Sequence, residues 1–299
     1  MGANGNPNRI RLTVRLIHMD IRKTPGISNF ISFISFLFVT LNLLAWLPLL
    51  LLMVTIRTVL PFRELKIATF NVADWSYRAA VIINFWWLTK VLRVRFDIED
   101  EAAVLSELTT KDSPLIISNH QSWFDILILQ SIITRHGPIL KFLIKRELLW
   151  VPVLGWVCLA LNFPRLERLS DGTTRTRDRK VALEASLKLH DEPGALMLFP
   201  EGTRYNSSKC KTTNSPFKNL LKPKLGGFDV IVNSVAKNTR LLDISVRYGS
   251  ADASCWRCMS GKVDSIKIRV TAIELALIEN SSCWLEHSWH EKDNWLSTT

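Results

Sequence analysis

Apolar positions are spread very unevenly along this chain. From Thr24 to Ile56 no residue is charged, and Ile31 to Ile56 is dominated by Leu, Ile, Phe and Val. Wound as a helix, those roughly 26 residues reach about 39 Å, more than the roughly 30 Å of a bilayer's hydrocarbon core. A soluble core helix of that length would carry a polar stripe, and this one has almost none. The pattern predicts a segment in the membrane. It is too long for a signal-peptide core and lacks a small-residue cleavage site, so it is expected to be retained. A second apolar stretch, Ile67 to Leu88, carries only Asp74 and Arg78, four apart and able to pair on one helix face. One span, two spans, or a re-entrant hairpin turned at Pro48 all remain open. Arg9, Arg11, Arg15, Arg22 and Lys23 against Asp20 favour a cytoplasmic N-terminus, and a return through the second stretch would bring the rest of the chain back to that side.

Beyond about Val91 the pattern turns globular. Short apolar runs bounded by turn residues predict strands at Leu115–Ser118, Ala195–Phe199 and Leu242–Tyr248. Alternation predicts half-buried strands at Val94–Ile98 and Ile266–Val270. Helical patterns fall at Trp123–Ile133 and Val181–Leu189, and polar loops at Asp171–Lys180 and Asn206–Lys218. Strands alternating with helices predict an α/β domain, with a mixed, largely parallel sheet flanked by helices and preceded by a hydrophobic helical region. The expected division is residues 1–90 for membrane anchoring and 91–299 for the globular domain.

Composition narrows the partners. At 299 residues and 47% apolar, the chain can bury a core without metal or disulfide staples. A net charge of +11 favours anionic partners such as phosphates or acidic headgroups. No finger, recognition helix or aromatic–basic alternation supports nucleic acid. Eleven tryptophans suit the boundary between apolar and wet surroundings. Five scattered cysteines are too few for a disulfide scaffold. Cys255-x-x-Cys258 falls in what reads as a Ser/Ala/Gly loop, which suits neither zinc nor redox chemistry, so idle thiols are expected. Trp284, Trp289 and Trp295 predict a docked C-terminal helix rather than one lying on a membrane.

The strongest chemical signal is Ser118-Asn119-His120-Gln121-Ser122-Trp123-Phe124-Asp125. Inside one continuous helix, His120 and Asp125 would stand about 140° apart. They can meet only if His120 lies in the turn before it. There the carboxylate would fix the imidazole's tautomer and leave the other nitrogen free to take a proton. The competing reading is a capping box, Ser122-x-x-Asp125, with His120 a plain loop residue. The segment alone does not choose between them. A second signal does: Phe199-Pro200-Glu201-Gly202-Thr203-Arg204 follows an apolar strand, where ligands bind in open α/β sheets. Gly202 lets the backbone approach a ligand, and Arg204 offers a planar fork for phosphate. From Gly202 to Phe228 there are six basic residues and no acid, which suits an anionic headgroup.

His120-x-x-x-x-Asp125 followed about eighty residues later by Phe-Pro-Glu-Gly-Thr-Arg resembles the lysophosphatidate acyltransferase family of membrane glycerolipid acyltransferases, and most of all its divergent bacterial inner-membrane branch. Further blocks agree in order. Lys145-Arg146-Glu147-Leu148 with Val151-Pro152-Val153-Leu154-Gly155-Trp156 is similar to the segment between the family's two motifs. Arg165-Leu166-Glu167-Arg168 resembles its F-I-x-R block, and Pro223-Lys224-Leu225-Gly226-Gly227 its P-K-x-G-G run. There are departures: Arg165 stands at an aromatic position, and Leu242-Asp243-Ile244-Ser245-Val246-Arg247 lacks the prolines of the family's late strand. Both bear on donor chain length and acceptor identity.

The resemblance implies a membrane-bound enzyme on the cytoplasmic side of a bacterial inner membrane. It would move a fatty acyl group from acyl-CoA or acyl carrier protein to the free hydroxyl of a lysophospholipid, foremost lysophosphatidic acid. His120 would be the general base and Asp125 its orienting partner. Arg168, Glu201, Gly202, Thr203 and Arg204 would bind the acceptor's glycerol-phosphate part, and backbone N–H groups near Ser122 would meet the oxyanion. No metal, cofactor, covalent acyl-enzyme or nucleic acid is expected. The rivals are glycerol-3-phosphate or another lysophospholipid as acceptor, and a non-catalytic membrane protein that binds anionic lipid.

Overall fold

The expected elements recur in a computed structural model, which describes residues 24–60, 62–109, 113–145, 149–151, 154–161, 163–166, 183–184 and 194–298. Helices α1 (Pro25–Val59) and α2 (Arg63–Trp86) come first, and a π-helical turn, Trp87–Val91, leads out of them. Next are β1 (Arg95–Ile98), α3 (Glu101–Leu108), β2 (Leu115–Ser118) and α4 (Phe124–Leu129), which runs on through a π turn at Gln130–Thr134. Short pieces follow: β3 (Leu140–Phe142), β4 (Ile144–Lys145), α5 (Leu154–Ala160) and β5 (Arg165–Leu166). The second half holds β6 (Ala195–Leu198), α6 (Ser207–Thr212), α7 (Leu225–Ser234), β7 (Arg240–Tyr248), α8 (Cys255–Met259), β8 (Ser265–Glu274) and α9 (Ser281–Ser297).

Six strands form one sheet in the order β1-β8-β7-β2-β6-β3, and β4 pairs with β5 apart from it. Every neighbouring pair in the main sheet is parallel except β7 with β8. Strands β2 and β6 are buried at every position, as their unbroken apolar runs require of strands covered on both faces. Their side chains alternate between two cores. Ile116 and Met197 join Leu47, Tyr77, Leu88 and Phe124 on one face, while Leu115, Ile117 and Leu196 join Phe228, Leu285 and Trp289 on the other. The C-terminal helix is docked as expected. Trp289 is fully buried, its Nε1 donates to Leu221 O at 3.2 Å, and Lys292 Nζ pairs with Asp243 Oδ1 at 2.5 Å.

Some expectations need correction. Helix α1 continues without a break through Pro48, so the chain reverses between Val59 and Arg63 instead. The polar stretch Asn206–Lys218 is not all loop: α6 forms within it, and the Asn206 side chain accepts from Ser208 N at 2.7 Å. Cys255 and Cys258 lie on α8, not in a loop. The sequence pattern missed β3, β4 and β5, which are too short to show a period. The stretch Asp171–Lys180 and nearly all of Val181–Leu189 fall outside the described residues.

Helices α1 and α2 pack antiparallel. Asn42 Nδ2 donates to Ala80 O and Asn84 Oδ1, both at 2.8 Å, which satisfies polar groups between two apolar helices. Asp74 and Arg78 do pair, at 2.6 Å. Arg78 also donates to Thr134 O at 2.8 Å and Gly137 O at 2.6 Å, which ties α2 to the end of α4. Outward, Phe30, Phe33, Leu41, Leu52, Trp75 and Trp86 are exposed. Gly26–Val59 is long and apolar enough to cross a membrane.

Candidate active site

The parallel arrangement brings the carboxyl ends of β6, β2 and β7 side by side, and each delivers a residue to one buried cluster. Beyond β2, the chain leaves the sheet at Asn119. Its amide continues the ladder: Nδ2 donates to Val246 O at 2.9 Å, and Val246 N donates to its Oδ1 at 2.8 Å. That pins the turn in which His120 sits.

Asp125, fully buried in the first turn of α4, folds back over this turn. Its Oδ2 lies 2.8 Å from His120 Nδ1 and also accepts from Gln121 N at 2.7 Å and Ser122 N at 2.9 Å. One oxygen thus meets both the ring and the backbone ahead of the helix, which is half of the expected capping box, since Asp125 N donates to Ser122 O and not to its Oγ. Asp125 Oδ1 accepts a hydrogen bond from the Tyr248 hydroxyl at the end of β7. Burial, and then the charge of Asp125, push that phenol well above its usual range, so it stays a donor. The His120 ring stacks on Phe199 at 4.0 Å with 16° between planes. With Nδ1 engaged, Nε2 is the nitrogen left for chemistry.

Glu201, beyond β6, is turned inward and is only 1% exposed. Its Oε1 accepts from His120 N at 2.8 Å and its Oε2 from Leu221 N at 2.9 Å. Burial pushes its carboxyl up to about 8 despite these two bonds. Glu201 thus braces the histidine turn from behind, and both its oxygens are occupied. Gly202 takes φ +66°, so the glycine is required by conformation, while a Cβ there would only push aside the end of the Lys224 side chain. Thr203 Oγ1 accepts from Lys209 Nζ at 2.9 Å. The exposed Arg204 places its guanidinium over the Trp123 ring, 4.8 Å from the centroid, on the side of the cluster where His120 also meets that ring.

The fold links His120, Asp125 and Glu201 by hydrogen bonds and carries Gly202, Thr203 and Arg204 on the turn that follows Glu201. Arg168 lies outside the described residues. Of the N–H groups near Ser122, those of Gln121 and Ser122 are spent on Asp125, and Phe124 N donates to Ser122 Oγ at 3.2 Å, which narrows the expected oxyanion donors there to Trp123 N. Asn119 and Tyr248 were missed. Asn119 carried the weak signal of a polar residue at a strand end, and Tyr248 none until the sheet paired β7 with β2. Burial raises the thiols of Cys255, up to about 11, and Cys258, further still, which keeps both as unreactive thiols.

With this geometry in place, comparison with known proteins becomes specific. The profile of the family described as Acyltransferase matches residues 101–248, a stretch running from α3 to the end of β7. Among curated relatives, the 1-acyl-sn-glycerol-3-phosphate acyltransferase gamma of Mus musculus is 27% identical over 237 residues, covering 73% of this chain and 60% of its own. The probable 1-acyl-sn-glycerol-3-phosphate acyltransferase 5 of Arabidopsis thaliana is 25% identical over 203 residues, covering 62% and 53%. Residues 101–248 are an acyltransferase domain, and the chain is similar to lysophosphatidate acyltransferases. It spans between about half and three-fifths of the length of these two relatives. The crystal structure of the 1-acyl-sn-glycerophosphate acyltransferase of Thermotoga maritima superposes with a TM-score of 0.54 at 16% identity, over 89% of this chain and 96% of that one, which establishes a shared fold.

Proposed function

We propose that this acyltransferase moves a fatty acyl group from a coenzyme A or carrier-protein thioester to the free hydroxyl of lysophosphatidate, giving phosphatidate. The observation that carries the reading is the buried His120–Asp125 pair in a turn at the carboxyl ends of three adjacent parallel strands. A lysolipid hydroxyl is a poor nucleophile until a base removes its proton during attack. His120 Nε2 takes that proton while Asp125 holds Nδ1–H and stabilises the imidazolium that forms, a contribution of roughly 10² to 10⁴ in rate. The oxygen attacks the thioester carbonyl, the tetrahedral intermediate collapses, and the thiolate leaves and takes up the proton from His120. Arg204 pairs with the acceptor's phosphate in charge-assisted bonds, assisted by Arg168, while Gly202 and Thr203 let the backbone come close. Glu201 acts through the backbone of His120.

Residues 1–90 anchor the enzyme, with the apolar outer faces of α1 and α2 in the lipid and residues 91–299 forming the catalytic domain on the cytoplasmic side. A bacterial inner membrane is the proposed setting. The test is transfer of labelled acyl-CoA by full-length protein in vesicles to lysophosphatidate, other lysophospholipids and glycerol-3-phosphate in competition. Preference for lysophosphatidate supports the reading, and preference for another acceptor replaces it. Asp125→Asn keeps the cap but removes the charge, so activity should fall by orders of magnitude with little change in melting temperature. An Asn variant with full activity would reduce Asp125 to a cap, and absence of transfer by wild type would favour a binding protein.

A further inference from the structure

A polar cleft of about 920 Å³ opens beside the cluster, and the acceptor chemistry above leaves most of it unused. Gln121 and Tyr248 border it, one the chain neighbour of His120 and the other the hydrogen-bond partner of Asp125. Among the described residues, its walls bring Arg204, Lys209 and Arg247 together against one carboxylate, Asp252. Asp252 is engaged elsewhere, since it accepts from Ser254 N at 3.0 Å and lies 3.9 Å from the Arg257 guanidinium. Arg247 is held in place over the Trp295 ring at 5.2 Å, with Nη1 donating to Trp295 O at 3.3 Å.

Neither α1 nor α2 lends a residue to this lining, whereas the end of α9 does, through Leu296. A lipid acceptor leaving the bilayer must pass the apolar hairpin. A cleft that holds three cations and takes nothing from the hairpin fits a water-soluble anion instead. We infer that it holds the phosphate of the acyl donor's phosphopantetheine arm, the group shared by coenzyme A and carrier-protein thioesters, with Arg247 and Lys209 as its contacts. The inference rests on the acyl-transfer reading and adds to it a donor side separate from the acceptor side. The arm would run from the cations past Tyr248 and Gln121, bringing its thioester to His120. Arg204 stands between the two sides.

The experiment compares Arg247→Gln and Lys209→Gln with wild type, as full-length proteins in vesicles. The donors are a long-chain acyl-CoA, the same acyl group on carrier protein, and its N-acetylcysteamine thioester, which has no phosphate. For Arg247→Gln, KM should rise about tenfold or more for both phosphate-bearing donors, the loss of one charge-assisted contact. Lys209 is exposed and should cost less. For Arg247→Gln acceptor KM should hold, and with the phosphate-free thioester the variant should coincide with wild type; Lys209 also bonds Thr203 and Arg204, so only its donor KM is compared. A loss confined to coenzyme A would move the contact to its nucleotide phosphates and overturn the assignment. An equal loss with the phosphate-free thioester, or a change in acceptor KM alone, would also overturn it.

Should Arg247→Gln fail to fold, free 4′-phosphopantetheine added to wild type decides: inhibition competitive with acyl-CoA and not with lysophosphatidate supports the cleft, and the reverse pattern removes it. If wild type transfers from no donor, the acyl-transfer reading fails. Calorimetry of 4′-phosphopantetheine on wild type and Arg247→Gln then still tests the cleft, which stands only if wild type binds more tightly.

Discussion

Two regions of this molecule are held together by opposite means. Around His120 nearly every polar atom has a buried partner: Asp125 Oδ2 alone accepts from one ring nitrogen and two backbone N–H groups, and both oxygens of Glu201 are taken. In the α1–α2 hairpin the contact is mostly apolar, with polar ties spread along it: Asn42 to α2, Arg57 and Arg78 to carbonyls of the domain, Tyr77 to Gln130, and Ser32 Oγ donating to Trp256 O at 2.8 Å. The first arrangement fixes the direction of a single ring nitrogen. The second secures two long helices to a domain while leaving their outer faces apolar. Directional bonds supply precision, and non-directional burial supplies attachment.

Removing residues 1–90 is the most severe way to test that contrast. Because Leu47, Tyr77, Val81 and Leu88 share a core with Phe124, Ile128 and Ile244, the deletion should leave one face of the sheet bare. The expected result is aggregated protein without a cooperative melt, checked by size exclusion and calorimetry. A soluble, active remainder would make the hairpin a tether only.

His120→Ala tests the opposite region. Transfer should fall by roughly 10² to 10⁴ while membrane association and melting stay close to wild type. Retention of more than about a tenth of the activity would contradict base catalysis of that size.

Glu201→Gln probes the brace behind the histidine. Two backbone donors converge on its oxygens, and an amide offers one of them a second donor instead. The expected loss is about 1–3 kcal/mol of stability. The pH dependence has a definite sign. The folded carboxyl titrates at about 8, above its ordinary value of 4.5, so between those values the folded state binds more protons than the unfolded one. Stability should therefore fall as pH rises from about 4.5 to about 8, and Glu201→Gln should remove that part of the slope. Identical slopes in the two proteins would show that Glu201 is already ionised in the fold.

Asn42→Leu should have the smallest effect. Hydrogen bonds between apolar helices average about 0.6 kcal/mol, so carbonate extraction and melting should barely change. A large loss would mean that the hairpin, too, depends on directional bonds.

The sequence pattern was most legible where structure is local or periodic. The apolar runs gave both N-terminal helices, and the three short runs gave β2, β6 and β7 to within two residues. The spacing of His120 and Asp125 required a turn before the helix, and the fold supplies it. Helix α6 was hidden because its stability comes from a cap and not from an apolar stripe. The pair of cysteines read as a loop because its neighbours are small and polar, while α8 is held by packing on α1, where Phe36 stacks on Trp256 at 5.6 Å.

By itself the sequence determined the two apolar helices, the α/β alternation, the histidine–aspartate turn and the basic stretch after Gly202. All of these follow from residues close in the chain, whose spacing is set by helix and strand geometry. Tertiary structure alone decided which distant groups complete them: Val246 N and O for Asn119, the Tyr248 hydroxyl for Asp125, Leu221 N for Glu201, and Trp289 behind Leu221. These partners lie from 20 to 127 positions apart along the chain. No local periodicity encodes such pairings. They exist because strand order puts β7 beside β2 and β2 beside β6, and because pairing spares each buried polar group the cost of losing water without a substitute.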